Sequence, residues 1–144
     1  MRARLCAGLF NMEESMMESA QRVMEEVTTA ARQRGVAVSV AVVDQAGHLV
    51  AFHRMDGALA GPIDVSIKKA RTAALFGTDS DVLGQGARPG GAIYTLEHTN
   101  GGLISFGGGV QLRRADQSIG AVGVAGASVE ADEEFARLGA AALR

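Results

Sequence analysis

The chain has 144 residues, of which 47% are hydrophobic and 21% are charged, and its formal net charge at pH 7 is −2. This length and composition are typical of one folded domain, and they exclude a disordered, fibrous or coiled-coil protein. Because there is no excess of basic residues to neutralise phosphates, the charge balance argues against binding to nucleic acid or to a membrane surface.

The N-terminal residues differ in character from the rest of the chain. A short apolar stretch with two arginines is interrupted at Asn11 and Glu13, before it reaches the length of a signal peptide or a membrane span. We therefore expect a disordered N-terminal extension over residues 1–11 and a single domain over residues 12–144. The lone cysteine, Cys6, cannot form an internal disulfide, which favours a reducing, cytoplasmic location.

The first predicted elements are a helix and a hairpin. Apolar residues recur at helical spacing over Met12–Arg34, and Gly35 suits the C-cap of such a helix. Residues 36–43 alternate valine with alanine or serine, which predicts a strand covered on both faces. A tight turn over residues 44–47 and a second extended segment, His48–Met55, complete the hairpin.

A second helix and a long loop follow. Pro62 suits the first turn of a helix whose apolar stripe ends before Gly77, and a further short helical turn is expected over residues 78–83. Residues 84–102 are rich in glycine and predict a long irregular loop with one helical turn near residues 93–96. Loops of this length are typical of functional segments.

The C-terminal part predicts three short strands and a last helix. Ser128 suits the N-cap of that helix, which runs to about Leu143. The element order α-β-β-α-loop-β-β-β-α predicts an α+β fold with a five-stranded, mainly antiparallel sheet and packed helices. The three strands are predicted over Leu103–Phe106, Val110–Arg113 and Ile119–Ala125.

Two charged residues lie on apolar stripes of their predicted helices. Lys69 shares a stripe with Val65 and Phe76, so its ammonium group either extends to solvent, pairs with Asp56 or meets an anion at the rim of an apolar cavity. Asp132 lies on a similar stripe, and a carboxylate there needs a partner. The first turn of the helix, with its dipole, is one such partner.

The three histidines do not form a metal-binding pattern, so we predict no metal site. His53 lies on the apolar side of its predicted strand, where it is an acid/base, an axial haem ligand or a hydrogen-bonded structural residue. His98 lies in the long loop, where contact with a ligand is easier.

The corner after the hairpin and the glycine run supply further candidates. Arg54 and Asp56 either form an ion pair that fixes the corner, or Arg54 binds an anion. Gly107 and Gly108 begin a glycine run that lacks the lysine of a phosphate-binding loop, although its amides suit a carboxylate or propionate. The sequence contains no nucleophile motif that indicates catalysis, and the catalytic residues stay unknown.

Short motifs occur in a fixed order along the chain: Val40–Asp44 with Gly47, Arg54–Ala58, Lys69–Ala73, Gly107–Gly108, Ile119–Gly126 and Asp132. In this order they resemble the GlcG/HbpS-like family, which is similar to the PduO C-terminal domain. The resemblance spans Met12–Leu143, and it implies a profilin-like fold, assembly into dimers or octamers, and binding of haem. It also implies that Arg54, Asp56, Lys69 and the glycines line a pocket.

The leading hypothesis is a homo-oligomer that binds a small molecule. Its ligand is haem or a related anionic cofactor, or the protein is accessory to a metabolic pathway. The broad apolar arc of the first helix favours a dimer at least. A charge at Met16 or Val23 is expected to weaken the oligomer if this helix lies in the interface, and to leave it intact if the helix packs only on its own sheet. The alternative is an enzyme acting on a small carboxylate or carbonyl compound, with Lys69 or His53 carrying a proton. A structural or accessory subunit is the third possibility.

Overall fold

The computed structural model describes residues 14–143; the predicted extension over residues 1–11 lies outside them, as does the predicted helix start at Met12. Within residues 14–143, no helix has both the length and the apolar character needed to cross a membrane. A one-turn 3-10 helix covers Leu96–His98. The other elements are α1 (Met16–Gln33), β1 (Ser39–Asp44), β2 (Leu49–Arg54), α2 (Gly61–Phe76), α3 (Ser80–Gly86), β3 (Gly109–Arg114), β4 (Gln117–Ala125) and α4 (Val129–Ala141).

The four strands of the described residues form one antiparallel sheet in the order β2-β1-β4-β3. Valines such as Val40 and Val122 pack against α1 and α4 on one face. Smaller residues such as Ala41 and Ala121 pack against Ala70 of α2 on the other face. The predictions of an α+β fold and of a first strand covered on both faces are therefore confirmed.

The predicted fifth strand is wrong. Leu103–Phe106 is not part of the sheet, and two of its amides donate to side chains of the helical elements. The amide of Ile104 donates to the Thr72 hydroxyl at 3.2 Å, and the amide of Ser105 donates to the Glu97 carboxylate at 2.8 Å. Because side chains accept from these amides, the segment satisfies them without a neighbouring strand.

Small residues on β4 let α2 approach the sheet closely. A Cβ atom added at Gly123 would lie 2.0 Å from the carbonyl oxygen of Ser66, a separation that real atoms do not reach. Glycine is therefore required here by the helix-to-sheet distance. The contact fixes α2, and with it Lys69, against the end of β4.

The apolar arc of α1 packs inside the subunit. Val23 is fully buried, and Met16 packs against the same core cluster as Phe135 of α4. A charge at Val23 would therefore disrupt the core of one subunit, and the packing of Met16 and Val23 agrees with the alternative in which the first helix packs on its own sheet. Met17, which is exposed, lies on the other side of the helix.

Candidate functional site

The most unusual side chain of the core is that of Lys69, which is 1% exposed. Its Nζ donates to the Val124 carbonyl at 2.9 Å and to Asp132 Oδ2 at 3.3 Å. Asp132 is also buried, and it accepts from the Ala127 amide at 3.0 Å. The two charged residues found on apolar stripes are thus partners of one another. The sequence left open a solvent-exposed ammonium group for Lys69 and an ion pair between Lys69 and Asp56, and both of these alternatives are wrong.

Burial shifts the titration of both partners toward their neutral forms. Loss of hydration lowers the pKa of Lys69, and the carboxylate of Asp132 only partly offsets this effect. Loss of hydration likewise raises the pKa of Asp132, against the opposing charge of Lys69. The site therefore holds a lysine with more neutral-amine character than a solvated lysine has.

The glycine run makes room for the lysine side chain. Gly108 has φ +123°, and a Cβ added there would lie 2.7 Å from Lys69 Nζ. The Gly108 amide donates to Glu133 Oε2 at 2.6 Å. The sequence suggested that this amide binds a ligand carboxylate, but a carboxylate of the same chain already accepts its hydrogen bond. Gly107 lies against the same carboxylate. The run thus lets Lys69 pass the end of β4 and reach Asp132 in the first turn of α4.

Phe106 covers this pair and separates two cavities. Its ring centroid lies 4.9 Å from Lys69 Nζ, while 44% of the residue is exposed. A cavity of about 340 Å³ on one side includes Lys69 and Asp132 in its wall together with Pro62 and other small or apolar residues. A cavity of about 320 Å³ that includes Gly107 lies on the other side. The Phe106 side chain contributes to both walls.

Three carboxylates meet near the second cavity. Oxygen atoms of Asp79, Asp81 and Glu133 lie within 4.8 Å of one another. The Arg137 guanidinium lies 3.8, 3.6 and 3.0 Å from them, respectively, which makes the group an ion-pair network. Burial raises the pKa of Glu133. Glu133 lies in α4, far along the chain from Asp79 and Asp81, so no local sequence pattern indicates that the three carboxylates meet.

A groove lies between the end of α1 and the sheet edge formed by β2. Its volume is about 430 Å³, and His53, Arg32 and Asp56 contribute polar groups to it. Val36 and Ala37 supply apolar wall. Met55 also lines the groove, and its sulfur accepts from the amide of Val38 at 3.5 Å. This groove is distinct from the Lys69 cavity, since the two share no lining residue.

Arg54 and His98, which the sequence also suggested as site residues, lie outside both the Lys69 cavity and the groove that contains His53. The guanidinium of Arg54 donates to the Ala58 carbonyl at 3.1 and 2.7 Å, which closes the corner after β2. Among residues 14–143 no ion pair joins Arg54 to Asp56, so the alternative of such a pair at this corner is wrong. Arg54 lines neither the groove nor the Lys69 cavity. His98 is exposed on the 3-10 helix and lines neither of them.

Comparison with known proteins gives consistent matches over the described domain. The model of a family described as haem degrading protein HbpS-like matches residues 16–141. A 15.0 kDa protein from the dhaT-dhaS intergenic region of Citrobacter freundii is 33% identical over 83% of this chain and 85% of that protein.

Two further matches concern PduO proteins. The corrinoid adenosyltransferase PduO of Salmonella typhimurium strain LT2 is 37% identical over 83% of this chain, which spans 37% of that protein. A crystal structure of a PduOC:haem complex is 34% identical, with a TM-score of 0.85 over 91% of this chain and 95% of that one. The similarity to PduO thus concerns only part of the larger protein.

Proposed function

Because the chain belongs to the HbpS-like family, we propose that it binds haem, or a related anionic cofactor, in the groove that contains His53. The family resemblance identified from the sequence motifs is confirmed by the model match over residues 16–141. The related PduOC structure is a complex with haem, which supports this class of ligand for the present chain.

The observation that carries the proposal is the donor set of the groove. An imidazole at His53, a guanidinium at Arg32 and the apolar side chains of Val36 and Ala37 line one space of about 430 Å³. Imidazole is a common axial ligand of haem iron, and a guanidinium pairs well with a propionate. These residues therefore fit haem, which when bound supplies iron-centred redox and ligand-binding chemistry.

His53 is the best axial candidate among the groups that line the groove. The Met55 sulfur already accepts from the Val38 amide, so it is less free to bind iron. His98 is on the 3-10 helix, outside the groove. His53 is exposed on β2, where its imidazole can turn toward a ligand.

The open edge of the sheet favours assembly around the ligand. Among the strands of residues 14–143, β2 has a neighbour on only one side, so a planar cofactor against it would keep one face in solvent. A second copy of the chain would cover that face. We therefore propose a homodimer at least, with an octamer as the larger assembly, and light scattering of the apo and haemin-loaded protein measures this directly.

Titration with haemin tests the proposal. The native protein should give a saturable shift of the Soret band, and His53→Ala should weaken binding by about tenfold or more through loss of the iron ligand. His98→Ala is the matched control and should bind as the native protein does. A spectrum equal to that of free haemin, or equal affinity in the native protein and His53→Ala, would overturn the proposal.

A further inference from the structure

We propose that Lys69 is a nucleophile that forms an imine with a small uncharged aldehyde in the cavity covered by Phe106, with Asp132 carrying the protons. This site is separate from the groove beside His53, and the proposal does not depend on haem binding. The alternative hypothesis from the sequence is an enzyme that acts on carbonyl compounds. The proposal identifies Nζ of Lys69 as the reacting atom of that enzyme.

The placement of Lys69 is the first argument. The residue is 1% exposed, yet Lys69 forms part of the wall of the cavity of about 340 Å³, beside the apolar residues Pro62, Val65 and Val129. A lysine that is desolvated in apolar surroundings is activated as a nucleophile, because its neutral amine becomes more populated. A buried pair is otherwise a weak source of stability compared with apolar residues of the same volume.

Asp132 is positioned for the proton transfers. Its Oδ2 lies 3.3 Å from Lys69 Nζ, while its Oδ1 is held by the Ala127 amide at 3.0 Å. This second hydrogen bond fixes the orientation of the carboxyl group, so that the other oxygen faces the amine. A group within such reach of the reacting atom can act as both acid and base.

The reaction conserves atoms and needs no oxidant. The neutral amine of Lys69 adds to the carbonyl carbon, and the carboxylic acid of Asp132 gives its proton to the carbonyl oxygen. The resulting carboxylate takes a proton from the nitrogen and returns it to the hydroxyl group, which leaves as water while the nitrogen lone pair forms the C=N bond. The product is a protonated imine of Lys69 beside the carboxylate of Asp132.

The charges around the cavity select an uncharged substrate. Asp132 balances Lys69, and the neighbouring network contributes three more carboxylates against the single guanidinium of Arg137. A carboxylate or phosphate substrate would be repelled by this excess of negative charge. A volume of about 340 Å³ is at the lower end of small-molecule sites, which favours an aldehyde of few carbon atoms.

Phe106 controls access to the amine. The backbone at this residue is held by the hydroxyl of Ser80, which donates to the Phe106 carbonyl at 2.7 Å. The side chain itself is nearly half exposed, so it can rotate into solvent without breaking this bond. Rotation would join the two cavities that Phe106 now separates and expose Lys69 to a small molecule.

The composition of the chain provides an internal control for the test. Lys68 and Lys69 are its two lysines. Lys68 Nζ pairs with the exposed Asp64 at 2.9 Å, and 29% of its side chain is exposed, against 1% for Lys69. Treatment of the native protein with propanal and sodium cyanoborohydride at neutral pH converts an imine into a stable propylamine, and peptide mass spectrometry locates it.

The expected result is that Lys69 is propylated faster than Lys68 in the native protein. Asp132→Asn should slow labelling of Lys69 by about a hundredfold and leave Lys68 unchanged, since it removes the proton carrier. Phe106→Ala should speed labelling of Lys69 alone. The proposal would be overturned if the native protein were labelled on Lys68 and the N-terminal amine but not on Lys69. This conclusion would hold for any labelling pattern of the variants.

Discussion

Replacement of Asp132 by alanine should destabilise the protein strongly. The substitution leaves Lys69 buried with one remaining acceptor, the Val124 carbonyl at 2.9 Å, and it leaves the Ala127 amide without its acceptor. Breaking a buried ion pair by removing one partner costs about 3–5 kcal/mol. Because burial lowers the pKa of Lys69, its amine can lose its proton and reduce the penalty, so we expect about 3 kcal/mol.

A double-mutant cycle isolates the interaction. Lys69→Met in the Asp132→Ala background removes the unpaired amine, so the double variant should be more stable than the sum of the single effects by about 0.5–3 kcal/mol. Urea unfolding at pH 7, followed by circular dichroism at one protein concentration, gives each free energy of unfolding. Lys68→Met is the matched control and should change stability by less than about 0.5 kcal/mol.

Two results would refute this reasoning. A cost below about 1 kcal/mol for Asp132→Ala would mean that Lys69 is not confined in a water-poor site. Strict additivity of Lys69→Met and Asp132→Ala would mean that the two side chains do not interact in solution.

Gly123→Ala should destabilise the fold by about 1–3 kcal/mol or more, because the new Cβ would lie 2.0 Å from the Ser66 carbonyl oxygen. Gly61→Ala, which meets no atom within 4 Å, is its control in the same urea experiment. Burial raises the pKa of Glu133 in the folded protein above its ordinary value of 4.5, so the folded state holds the proton more tightly than the unfolded state. The stability that this proton contributes is therefore present at low pH and is lost as the pH rises through the raised pKa. Glu133→Gln should flatten that fall in thermal melts, while its amide oxygen can still accept from Gly108; an unchanged pH profile would contradict the assignment.

Much of the fold follows from local sequence signals. Gly77 ends α2 with φ +64°, as its position after an apolar stripe predicts, and the Ser128 hydroxyl accepts from the Ala131 amide at the start of α4. These features depend on residues within a few positions of one another. Periodicity and capping residues therefore suffice to locate the helices and the hairpin.

The fifth strand could not be excluded from the sequence, because its hydrogen-bond donors are satisfied by distant side chains. Leu103–Phe106 has the apolar character of a short strand, but Thr72 and Glu97 accept from its amides. Nothing within the segment itself indicates that these acceptors lie beside it. Local pattern predicts an extended conformation here, but not whether the segment joins the sheet.

The sequence identifies individual residues of the site, but it does not show how these residues are arranged in space. The apolar stripes identify Lys69 and Asp132 as residues that need partners, yet the two are 63 positions apart. Their meeting depends on how closely α2 approaches β4 and on the passage that Gly108 leaves at the sheet end. The family resemblance implies a pocket that contains both Arg54 and Lys69, whereas within one subunit the Arg54 guanidinium donates to the Ala58 carbonyl.

Chemical rescue of the haem ligand tests the central claim most directly. His53→Gly should give a haemin complex with an altered Soret band, and added imidazole should restore the native spectrum by occupying the vacated ligand position. His98→Gly should give the native spectrum with or without imidazole. Superimposable spectra for the native protein and His53→Gly before imidazole is added would contradict the assignment of His53 as the ligand.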